Sequence, residues 1–133
     1  MFEIRSVSSS KVLRLRDRKD FGFFVELEAY DVTARTQVWS FKDDDGLVSW
    51  LEKLASHQLP WDGAEEWMAY ERNFALSATC RAGGLVIFVV KLDTNFGGSE
   101  AWRVSAELNS ELGQLPDLAK AADRFFTDRT SEA

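Results

Sequence analysis

The residues that most often do chemistry are scarce in this chain, which has one histidine, His57, and one cysteine, Cys80, among 133 residues. No Gly-x-Ser-x-Gly elbow or other local nucleophile motif accompanies His57. It follows Ser56 at the end of a helical pattern, where a partial positive charge favours the helix C-terminus. Cys80 falls on the apolar parity of a strand, the position of a small buried side chain rather than a reactive thiol. A lone cysteine forms no intramolecular disulfide, in keeping with a reducing compartment.

The sharpest metal pattern is Asp43, Asp45, Gly46, Ser49 and Glu52, which fit positions 3, 5, 6, 9 and 12 of a calcium loop. Position 1 is Phe41, where a carboxylate is required, so the acids read as helix caps and no metal or cofactor is expected. Glu26 and Glu28 lie on one strand face, but paired catalytic carboxylates usually face each other across a cleft, and cross-strand pairing with Arg14 is the simpler role. Lys11, Arg14, Arg16, Arg18 and Lys19 make up the one basic cluster, without a glycine-rich phosphate loop.

A different kind of signal is Trp61-Asp62-Gly63-Ala64-Glu65-Glu66-Trp67-Met68-Ala69-Tyr70-Glu71. Tryptophan and tyrosine are favoured at interface hot spots, and acids around them select a basic partner. Trp61, Asp62, Glu65, Glu66 and Trp67 are therefore the candidate binding residues. Packing of the same tryptophans over one end of a sheet is the competing use.

These residues need a scaffold, and alternation supplies it. Phe21, Phe23, Val25, Leu27 and Ala29 share one parity; Phe74, Leu76, Ala78 and Cys80 repeat the pattern, as do Trp102, Val104, Ala106 and Leu108. Leu85–Leu92 is apolar on both parities, as in a central strand. Phe2–Val7, Lys11–Arg16 and Thr36–Phe41 are shorter candidates. In the first hairpin, keeping Leu13 and Leu15 on the face of Val25 and Leu27 requires paired numbers with an even sum, and a sum of 40 sets Arg14 opposite Glu26 and Val12 opposite Glu28. Helical spacing appears at Leu47, Val48, Leu51, Leu54 and Ala55, and again at Leu115, Leu118, Ala119, Ala122, Phe125 and Phe126. Ala82-Gly83-Gly84 marks a hairpin and Asn95–Ser99 a longer loop. No internal repeat is visible. The expected architecture is α+β: a mostly antiparallel sheet of six or seven strands with two helices packed on one face, in one globular domain over 1–133 with a polar tail from Thr127.

A net charge of −6 disfavours general attraction to nucleic acid or anionic lipid. No apolar run approaches the ~18 residues that span a bilayer, and the start Met1-Phe2-Glu3-Ile4-Arg5 lacks a basic leader, so a cytoplasmic location is expected. The Trp61-Asp62-Gly63 run with Trp67, the Leu76-Ser77-Ala78 strand, the alternating strands after it and the closing helix with Leu118-Ala119 resemble an uncharacterised family of small bacterial domains. That resemblance, over the C-terminal two thirds, implies this fold and a bacterial origin and carries no activity. The functional expectation is a non-enzymatic protein-binding module, concretely an antidote-like or immunity-like protein that neutralises a basic effector. The alternative is a small-molecule-binding domain with a pocket between sheet and helices, lined by Trp50, Trp67 and Trp102. An acid–base enzyme built from carboxylates, Tyr30, Tyr70 and the arginines ranks third.

Overall fold

The computed structural model describes residues 1–40, 44–94 and 100–127. It is an α+β fold in which four antiparallel strands and a helix occur twice in succession. Strands β1 (Phe2–Arg5), β2 (Val12–Lys19), β3 (Gly22–Glu28) and β4 (Thr33–Trp39) precede helix α1 (Leu47–Ala55); β5 (Glu65–Met68), β6 (Phe74–Cys80), β7 (Leu85–Asp93) and β8 (Arg103–Glu111) lead through a 3₁₀ turn to helix α2 (Leu115–Thr127). Each set of strands is a simple meander, ordered β1-β2-β3-β4 and β5-β6-β7-β8.

The single sheet of six or seven strands expected from the sequence is thus two sheets of four. The reason lies between Trp39 and Glu65. There the chain leaves the first meander, forms α1 and starts a new edge, so β4 and β5 never pair. The two inner faces then bury each other: Phe23 of β3 meets Phe74 of β6 edge-on at 6.4 Å between centroids. Two sets of hydrogen bonds join the sheets. Val7 N–H donates to the Asn109 carbonyl at 2.9 Å, while Asn73 Nδ2 donates to the Gln37 carbonyl at 2.8 Å.

The helices exchange sheets. Trp50 of α1 packs on Phe88 of β7, and Phe125 and Phe126 of α2 pack on Phe23 of β3. Arg18 of β2 completes the second contact, its Nε donating at 2.8 Å to the Phe125 carbonyl near the end of α2, where a cation complements the helix dipole. Buried residues from both sheets and both helices form one continuous cluster. At the start of α1, Asp44 accepts from Gly46 N and Val48 N at 3.0 and 2.9 Å, the capping expected of this acidic run.

The parity argument for the first hairpin agrees with the structure, which pairs Arg14 with Glu26 and Val12 with Glu28. The β6–β7 turn is also as read: Gly83 and Gly84 take left-handed φ of 93° and 88°, and Gly84 N donates to the Arg81 carbonyl. The strand at β4 starts three residues before its expected position. Thr127 belongs to α2 rather than to the tail; the Asn95–Ser99 loop, Phe41, Asp43 and 128–133 lie outside the described residues. Among the described residues no helix is long and apolar enough to cross a membrane.

Candidate functional site

Alternation along β5 divides the acidic aromatic segment between inside and outside. Trp67 points inward and is 9% exposed. Its ring stands edge-on to Phe74 at 5.2 Å and its Nε1 donates to the Asp45 carbonyl at 3.0 Å. Trp67 is therefore a core residue and is removed from the candidate surface. Asp45 in turn is held on both carboxylate oxygens, by Ser40 Oγ at 2.8 Å and Tyr70 N at 3.2 Å. With Asp44 capping α1, these two acids of the calcium-like run already serve the fold.

Trp61 is half-buried. It stacks on His57 with centroids 4.5 Å apart and donates from Nε1 to the Ala78 carbonyl at 3.3 Å. On the same side, Glu65 lies 3.4 Å from Lys53 Nζ and 3.5 Å from His57 Nε2. The single histidine thus bridges the end of α1 to β5 through Trp61 and Glu65. Cys80 is buried on β6; burial pushes its thiol up from the ordinary value, with the Trp61 backbone opposing. Of the five candidate residues, Asp62 and Glu66 are exposed.

Two residues outside the expected set take the exposed positions: Met68 at 53% and Tyr70 at 67%. Met68 shares the outward parity of Glu66, a signal present in the sequence once β5 is recognised as a strand. Across the sheet the register gives two outer rows, Glu66–Ser77–Val89–Glu107 and Met68–Ala75–Lys91–Ser105. The small side chains Ala75 and Ser77 on β6 sit lower than their neighbours. Between the walls formed by Glu66 and Met68 on one side and Val89 and Lys91 on the other lies a groove of about 210 Å³.

The outer face of the first sheet is built differently. Its register sets Glu3, Arg14, Glu26 and Arg35 in one row. Arg14 donates from Nε to Glu3 at 2.8 Å and from Nη1 to Glu26 and Glu28 at 3.4 and 3.3 Å, and Arg16 Nη2 donates to Glu26 at 2.7 Å. The Glu3 hydrogen bond raises the already high Arg14 value, against the cost of burial and with help from Glu28. Glu26 and Glu28 are thus arginine partners. Two more members of the basic cluster are held by backbone carbonyls, Lys11 Nζ donating to Glu107 and Arg18 Nε to Phe125 of α2, while Lys19 is exposed.

The three tryptophans proposed to line one pocket lie in three settings. Trp50 is buried against Phe88, Trp67 against Phe74, and Trp102 is at the surface before β8. Tyr30 is fully exposed in the turn after β3.

Residues 4–129 match a family of unknown function (DUF6228), and the chain belongs to that family. The match extends the resemblance read from the C-terminal two thirds across the first sheet as well. No curated protein and no solved structure matches the chain.

Proposed function

We propose that this family member is a non-enzymatic protein-binding module that captures a basic partner, in the manner of an antidote or immunity protein, through the edge of its second sheet. The observation that carries this reading is the uncovered groove beside β5. Its wall combines an acid, Glu66, with a flexible apolar side chain, Met68, and the adjoining exposed Asp62 and Tyr70 extend that chemistry. Methionine and tyrosine adapt to and anchor a partner, whereas exposed acids steer a basic one towards the surface. The chain's net charge of −6 favours the same encounter. The histidine and cysteine contribute to the support by their deployment, one bridging α1 to β5 and the other buried.

The test is to purify any basic protein found encoded beside this chain and to measure its binding kinetics over a salt series. Charge reversal of Asp62 and Glu66 to lysine is expected to slow association and flatten its salt dependence, while Met68→Ala and Tyr70→Ala mainly speed dissociation. Kinetics unchanged in all four variants would remove the β5 edge from consideration.

A further inference from the structure

The turn of the first hairpin builds a second exposed surface on the other sheet. Arg16 pairs with Phe24 but Lys19 pairs with Gly22, so β2 carries one extra residue at this point. Under uninterrupted alternation Asp17 would face the core. The bulge turns it outward with φ of 54°, a left-handed conformation that aspartate tolerates better than most residues, and sends Arg18 to α2 instead. Across β3 and β4, Gly22 lies opposite Trp39. A Cβ at Gly22 would stand 2.2 Å from the Val38 carbonyl oxygen, so this position has no side chain to cover the indole. Trp39 is left 50% exposed, and Phe21, expected on the inner parity, is 67% exposed because it sits in the turn before β3 begins.

Asp17, Lys19, Asp20, Phe21, Phe24 and Trp39 border one groove of about 300 Å³. Large aromatics gathered at an exposed groove mark contact sites. We infer that this groove receives an arginine side chain of a protein partner, its guanidinium stacked on the aromatic faces and its N–H groups directed to Asp17 and Asp20. The same sheet face already holds one such arrangement, the Arg35 guanidinium 4.2 Å above the Phe24 ring, so the exposed Phe21 and Trp39 are the rings that take the incoming guanidinium. Two carboxylates, Asp17 and Asp20, border the groove with Lys19; Asp17 also lies 4.0 Å from Arg16 Nε, a long and exposed contact worth little. A planar, weakly hydrated guanidinium exploits both the rings and the paired acids, which an ammonium does less well. This inference rests on the reading of a basic partner but not on the β5 edge.

The experiment is a titration of the full chain with a hexa-arginine peptide, followed by NMR at the Trp39 indole N–H and the Met68 methyl. A saturable shift at Trp39 is expected, with affinity falling roughly three- to tenfold in Trp39→Ala and in the Asp17→Asn/Asp20→Asn pair, and for hexa-lysine on the unaltered chain. The paired asparagine variant alters only exposed groups and keeps the test valid if Trp39→Ala is poorly folded. An unmoved Trp39, or an equal response to hexa-lysine, overturns the inference. A shift confined to Met68 also overturns it while supporting the β5 edge, and one confined to Trp39 supports it while counting against that edge.

Discussion

Truncating Trp67 to alanine removes a side chain that the fold uses twice, once against Phe74 and once as the donor to the Asp45 carbonyl. Loss of a buried tryptophan costs about 3–5 kcal/mol from transfer and cavity together. Domains of this kind have a total stability of about 5–15 kcal/mol, so the variant should lose a large part of it. At roughly 3–5 °C per kcal/mol for a chain of this size, the melting temperature should fall by about 10–25 °C. Trp67→Phe separates the two contributions. It keeps a ring beside Phe74 but leaves the Asp45 carbonyl without its indole donor, a loss of about 1–3 kcal/mol. Trp61→Ala gives the comparison: it is half-buried with one long hydrogen bond and one stacked ring, and should cost about 1–2 kcal/mol. Calorimetric melts and urea titrations of the three variants check the order. A Trp67→Ala protein melting within two or so degrees of the parent, or one less affected than Trp61→Ala, would refute the assignment of Trp67 to the core.

Removing α2 by stopping the chain after Pro116 uncovers Phe23 along with the face of β1, and should yield an aggregating product; a soluble, cooperatively melting one would show the helix to be peripheral. Burial raises the folded thiol of Cys80 above its unfolded value of about 8.5, so below that pH its contribution is constant. Above it the unfolded chain releases the proton first, and stability falls as pH climbs towards the raised folded value. The alkaline decline should therefore be shallower in Cys80→Ala, and thiol labelling of the native protein should be much slower than of the unfolded chain; equal slopes and equal labelling rates would contradict burial.

The first hairpin shows what was legible. Its parity was readable, because Leu13, Leu15, Val25 and Leu27 lie inside together only when paired numbers have an even sum, and the sum of 40 found in the structure is the one that sets Arg14 against Glu26. Both helices and β6 were equally clear from periodicity. The β5 strand was not, since Glu65–Met68 offers four residues and a single buried one, too short a run to reveal its alternation. The side taken by Trp67 depends on Asp45 and Phe74, and no local pattern encodes those distant contacts. Whether eight strands form one sheet or two is likewise non-local. Phe21 had the right parity for the core but lay one residue before the strand began. The bulge at Asp17 was hidden for a related reason: an inserted residue in an all-polar run leaves no break in a hydrophobic pattern.

The exchange of helices between the sheets has a consequence for how the chain is made. A ribosome releases the first meander long before α2, yet the rings that cover Phe23 belong to Phe125 and Phe126, almost the last residues described. The early half must therefore wait with an aromatic flank open, and commitment to the native state comes only as the final helix emerges. The same dependence binds the halves in the finished molecule. Split between α1 and β5 and mixed, two separately produced fragments should each be incomplete, and each should supply the helix that the other lacks.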